Sequence, residues 1–260
     1  MAESSGGRAT KDGAVQSVDR AAAILELLAT AGELGVSEIA RELGVHRSTA
    51  FRLLATLEAH DLVEQEERRG TYDLGVGLLR LAGRVTRRMD IATDARAVCD
   101  DVTTEVDETS NVAILDDDAA VNITQTTSSQ LVGVARQYVG QRTPLHATST
   151  GKMLLAHAGD EVLATVLDGP LEVCTDRTIT DPAALREELA TIRRRGWAAA
   201  VAEWEQDTNA LAVPVHGTGG RVVAALSVTA PSFRMAPEAF EEIAAVLTRH
   251  AAGLSARLGA

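Results

Sequence analysis

No stretch of this sequence approaches the roughly 18 consecutive apolar residues that a membrane-spanning helix needs, so a helical membrane protein is excluded. The N-terminal segment MAESSGGRATKDGA lacks the apolar stretch of a secretory signal and reads as a disordered leader over residues 1–14. Cysteine is scarce: Cys99 and Cys174 stand far apart without metal-ligand partners nearby, which fits unlinked thiols in a reducing cytoplasm. The six histidines show no metal-ligand spacing, and no metal or cofactor is expected. Internal repeats are absent as well. Basic charge is in deficit, with a net charge of −12, but the deficit is uneven. Residues 1–90 hold 12 Lys and Arg against 14 Asp and Glu, whereas residues 91–260 hold 13 against 23. The acid therefore belongs mostly to the second part. In the first part, clustering decides what the surface attracts, because screening limits each charge to about 8 Å.

What is present is enough apolar material for real cores, 45% of the residues, on a chain long enough for two domains. From Gln16 to Ala31, Val18, Ala21, Ala22, Leu25 and Leu28 recur at helical spacing, and Gly32 ends the run. Ser37 is expected to cap a short second helix with Ile39, Ala40 and Leu43 inward, stopped by Gly44. A third helix is expected over about 47–60, with Ala50, Leu53, Leu54 and Leu57 inward. Two extended runs, 62–65 and 71–74, flank the charged turn Glu66-Glu67-Arg68-Arg69-Gly70 and read as a hairpin. A fourth helix over about 77–89 leads away from this head.

After about residue 93 the texture becomes α/β. Helices are expected at 95–106, 148–158, 160–167, 181–195 and 237–258, and strands at 111–115, 120–126, 131–137, 197–201, 211–216 and 221–229. Hairpin-like pairs flanked by helices imply an antiparallel sheet with helical cover. The expected division is a head over 15–76, a linker helix over 77–92 and an α/β domain over 93–260.

The head has the parts of a helix-turn-helix: a short support helix, a tight turn at Gly44, and a second helix with a free outer face. His46, Arg47, Ser48, Thr49 and Arg52 stay outward at its start, and these side chains donate to phosphates and base edges. Arg68 and Arg69 at the hairpin tip are placed to touch the DNA backbone as a wing. A generic helical hairpin with a solvated face, or a head that mediates protein contacts, uses the same residues differently.

These segments resemble the isocitrate-lyase-regulator (IclR) family of bacterial transcription regulators. The resemblance is carried by Val15-Gln16-Ser17-Val18-Asp19-Arg20-Ala21, Ser37-Glu38-Ile39-Ala40, Leu43-Gly44-Val45, Arg47-Ser48-Thr49, Arg52-Leu53-Leu54 and Tyr72-Asp73-Leu74-Gly75. It continues through Pro144-Leu145-His146-Ala147-Thr148, Gly151-Lys152, Thr178-Ile179-Thr180-Asp181 and Ala224-Ala225-Leu226-Ser227-Val228, spanning roughly 15–258 in family order. It implies a winged helix-turn-helix head, with Gln16, Ser17 and Arg20 joining the DNA-facing set, and a GAF-like effector-binding domain. It also implies a dimer or dimer of dimers on a palindromic DNA operator, most often as a repressor, with a small-molecule effector as the second partner.

Enzyme readings of the second domain are weaker. A phosphate loop ending at Gly151-Lys152 needs a glycine where His146 stands. Ser149-Thr150-Gly151-Lys152 matches the S-x-x-K nucleophile motif, but no Ser-Asp-Asn or Lys-Thr-Gly accompanies it. Asp116-Asp117-Asp118, between two apolar runs, reads as an exposed turn. No enzymatic activity is expected. As a sensor, Thr148, Ser149, Thr150 and Gly151 stand at a helix N-terminus, where free N–H groups favour a carboxylate. The resemblance adds Asn209, Ala210, Ser227 and Thr229 to this pocket. Members that sense small keto acids tend to carry an acid near Ala200 and a cysteine near Ala210. Alanine at both positions implies a larger or partly apolar effector, such as an aromatic acid or a ureido compound.

Overall fold

The computed structural model describes residues 15–66, 70–86, 90–130 and 139–260. The expected leader, Arg68 and Arg69, and the strand at 131–137 lie outside the described residues. The chain divides into two compact units, Met1–Arg88 and Met89–Ala260.

In the first unit, α1 (Gln16–Ala31), α2 (Val36–Glu42) and α3 (Arg47–Glu58) pack on a small antiparallel sheet. Its strands β1 (Leu34–Gly35), β2 (Val63–Glu66) and β3 (Thr71–Leu74) lie in the order β1-β3-β2. Helix α4 (Gly77–Thr86) follows. Ile24, Leu28, Ile39, Leu54 and Tyr72 close the core. Two sequence expectations need correction. Val18 and Ala22 are exposed, because the buried stripe of α1 runs instead through Ile24 and Leu28. Ser37 does not cap α2: the helix starts one residue earlier, and the Glu38 carboxylate accepts from the Gly35 backbone N–H at 2.8 Å. The turn between α2 and α3 puts Gly44 at φ +63°, a conformation that disfavours side chains, while the Val45 N–H donates to the Ala40 carbonyl.

The second unit opens with α5 (Asp90–Val106), and its described residues form six antiparallel strands: β4 (Thr109–Asp116), β5 (Ala119–Thr126), β6 (Arg142–Pro144), β7 (Ala198–Val201), β8 (Thr208–His216) and β9 (Val222–Pro231). Their order is β6-β5-β4-β9-β8-β7. Alternation along the strands makes both faces useful. Leu211, Val213, Leu226 and Val228 face α5 and α9 (Phe240–Arg257), while Ala212, Ala225 and Ala113 face α6 (Ser149–Ala156) and α8 (Pro182–Arg195). Small residues on the second face let α6 approach the sheet closely. Helix α7 (Asp160–Asp168) adds Leu167 to that core. Helix α8 begins where the sequence indicates, with the Asp181 carboxylate accepting from the Ala183 and Ala184 N–H groups and Pro182 in the first turn. This is the architecture of an N-terminal helix-turn-helix followed by a GAF-like α/β domain. Among the described residues no helix is long and apolar enough to cross a membrane.

Candidate functional site

Helix α3 buries Ala50, Leu54 and Leu57, which turns Arg47, Ser48, Phe51 and Arg52 outward. His46 is exposed at the helix start, and its carbonyl accepts from the Thr49 and Ala50 N–H groups. Arg47, Ser48, Phe51 and Arg52 border an open groove whose other wall is Gln65, Gly70 and Tyr72 of the hairpin. A second groove between α1 and α3 brings Ser17 together with Thr49 and Arg52. Gln16 is exposed and Arg20 half-buried on the first turns of α1. The charge on this face is available. Arg41 is paired with Glu42 and Arg80 with Asp61, but among the described residues no carboxylate holds Arg47 or Arg52. The sequence reading passed over Phe51, Gln65 and Tyr72, because Phe51 is apolar and Gln65 and Tyr72 reach the groove only through the pairing of β2 with β3.

A cleft in the second unit lies between the sheet and the N-terminus of α6. Thr148, Ser149, Thr150, Ala210, Ser227 and Thr229 all line it. Thr148 caps the helix: its Oγ1 accepts from the Gly151 N–H at 3.1 Å and donates to the Pro144 carbonyl at 3.0 Å. The N–H groups of Ser149 and Thr150, first in the helix, are left without intrahelical acceptors and give that wall of the cleft positive potential. Gly151 is not in the lining. It permits close packing instead, since a Cβ there would fall 2.6 Å from the Pro144 carbonyl oxygen.

Asn209 is placed elsewhere. Strand β8 begins at Thr208 rather than 211, and the resulting alternation sends Asn209 to the opposite face of the sheet from Ala210. There its Nδ2 donates to the Met235 carbonyl at 2.9 Å. The sequence reading missed a polar ladder on the cleft face: the Ser227 hydroxyl donates to Asn111 Oδ1 at 2.6 Å, and Asn111 Nδ2 to Asn122 Oδ1 at 3.4 Å. Asn111 and Asn122 each interrupt an apolar strand, which was the available signal. Trp204 and Glu205 also border the cleft, and among the described residues its lining contains no Lys or Arg.

Behind the cleft, Lys152 is fully buried and its ammonium donates to both carboxylate oxygens of Glu203, at 2.7 and 2.8 Å. Burial pushes the Glu203 carboxyl above its ordinary pKa, and Lys152 pulls it back. The Glu203 carbonyl accepts from Thr178 Oγ1 at 2.6 Å, so the ion pair ties α6, and this bond the segment before α8, to the stretch carrying Trp204 and Glu205. The engaged ammonium is not available to activate Ser149, which removes the basis of the S-x-x-K reading. Burial also raises the Cys99 thiol to about 12 and raises Cys174, so neither is a ready nucleophile. Asp116 and Asp118 are paired with Arg142 rather than set around a cation site. Among the described residues no group of His, Cys, Asp and Glu could hold a metal ion.

The grooved helix-turn-helix, followed by a separate α/β unit with a polar cleft, is the architecture of a DNA-binding regulator. Residues 17–67 match the IclR helix-turn-helix domain, and residues 83–256 match the C-terminal domain of the bacterial transcriptional regulator IclR. The regulator BhcR of Paracoccus denitrificans is 35% identical over 234 residues, covering 88% of this chain and 83% of that protein. The repressor AllR of Escherichia coli is 31% identical over 94% of this chain and 90% of its own length. A solved IclR homologue from Microbacterium hydrocarbonoxydans, complexed with 4-hydroxybenzoate, superposes with a TM-score of 0.80 at 31% identity, covering 93% of this chain and 98% of that one. The chain belongs to the IclR family of DNA-binding bacterial transcriptional regulators. The family consists of regulators, not enzymes.

Proposed function

We propose that this regulator is a cytoplasmic repressor of a catabolic or metabolic operon, released by a small organic effector bearing a carboxylate. The observation that carries the effector reading is the cleft: the α6 N-terminus gives it an electropositive wall, and among the described residues the lining has no Lys or Arg. Ser149 and Thr150 receive the carboxylate, while Ser227, Thr229 and the two asparagines fix the rest of the ligand. Ala200 and Ala210 beside Trp204 leave room for an apolar body. The Microbacterium homologue's 4-hydroxybenzoate supports an aromatic acid, and the AllR relative supports repression. The functional division is 15–76 for DNA, 77–92 as connection and 93–260 for the effector.

The mechanism is linkage. A homodimer, or a dimer of dimers, presents two α3 helices to a palindromic operator at a fixed spacing. Effector binding favours one arrangement of the dimer, and the change in spacing costs DNA affinity. A thermal-shift panel of aromatic acids, ureido acids, glyoxylate and pyruvate tests the ligand class. An aromatic or ureido acid at about 100 times its Kd stabilises the folded state by about 2.7 kcal/mol, a rise of several degrees. Stabilisation by glyoxylate or pyruvate alone would sink the larger-effector reading.

A further inference from the structure

The outward face of α3 carries one large apolar side chain that the DNA-contacting set does not explain. Phe51 is 55% exposed, on the flank of the helix about a quarter-turn round from the buried stripe of Ala50 and Leu54. It stands one turn beyond Arg47 and directly before Arg52, and these three share one groove. An exposed phenyl ring loses hydrophobic stabilisation in the free protein. Its neighbours here are two guanidinium groups that no carboxylate holds among the described residues, and the hydroxyl of Ser48. That combination fits an occupant with phosphates and base-edge acceptors beside a small apolar group. The floor of the duplex major groove offers one such group, the thymine C5-methyl. A second copy of this chain would need an apolar face to cover the ring, whereas the rim formed by Arg47, Ser48 and Gln65 is polar.

We propose that Phe51 specifies sequence by packing on a thymine methyl in each operator half-site, beside the groups that Arg47 and Arg52 contact. This rests on α3 being the recognition helix. The test uses the full-length protein and a duplex that it selects from random DNA. Each thymine is then replaced in turn by deoxyuridine, which removes only the methyl group. The wild type is expected to lose about fourfold in affinity at one thymine and its symmetry mate, the effect of burying one methyl-sized group. Phe51→Ala is expected to bind the thymine and uracil duplexes equally at that position, and Phe51→Leu to keep part of the preference. The exposed position makes both variants compatible with folding, which circular dichroism checks.

Wild-type protein that holds every uracil duplex as tightly as the selected parent overturns the proposal and leaves the recognition helix standing. So does a Phe51→Ala variant that keeps the same thymine preference. Failure to select any duplex brings down the recognition-helix reading, and this inference with it.

Discussion

Replacing Lys152 with Met is expected to destabilise the C-terminal unit by about 3–5 kcal/mol, the cost of leaving one partner of a buried ion pair uncompensated. Glu203 would keep its charge in a site where it is 7% exposed, with Glu188 also near the vacated ammonium position. The chain's two tryptophans, Trp197 and Trp204, both lie in this unit, so their fluorescence in a urea titration follows it without the head. The deficit should depend on pH with a definite sign. The Glu203 carboxyl is already raised by burial, and losing Lys152 removes the main influence that lowers it. A folded-state pKa raised above the unfolded value gives stability that is present at low pH and lost as pH rises through the folded value. The variant's deficit should therefore shrink as pH falls from about 8 toward the ordinary carboxylate value of about 4.3. Lys152→Met combined with Glu203→Leu should recover most of the loss, because the charge and its partner disappear together. A single variant as stable as wild type would show that the pair is not the fastening it is taken to be here.

Replacing Arg47 with Ala is expected to weaken operator binding by about 1–3 kcal/mol, roughly five- to 150-fold, and to relax preference at one base position. Arg47 is exposed at the first residue of α3, where side chains of a recognition helix reach base edges. Arg41 is the control. It is comparably exposed but already bound to Glu42 on α2, so Arg41→Ala should change little. Equal loss of affinity for operator and scrambled DNA in Arg47→Ala would reassign this residue from base reading to phosphate contact.

Much of this was legible in the sequence for identifiable reasons. Periodicity marked α1 and α3, Gly44 marked the turn between α2 and α3, and the helix expected at 181–195 is α8 to within one residue. Residues at a helix start, such as Thr148 to Thr150, could be placed because capping is local. Strand faces were harder. The resemblance placed Asn209 and Ala210 together in the pocket, but β8 begins three residues earlier than its pattern indicates, and alternation sends these neighbours to opposite faces. The Ser227-Asn111-Asn122 ladder joins the β4–β5 hairpin to β9, with Ser227 116 residues beyond Asn111, and only the register of β4 with β5 and β9 brings it together. The Lys152–Glu203 pair has the same character: 51 residues separate its members.

The central claim, that the head reads DNA sequence, is tested most directly by fluorescence anisotropy with the selected duplex and a scrambled one at two salt concentrations. The account predicts tight binding to the selected duplex, weaker binding to the scrambled one, and loss of affinity for both as salt displaces phosphate contacts. Equal, weak binding to both duplexes at low and high salt would contradict it.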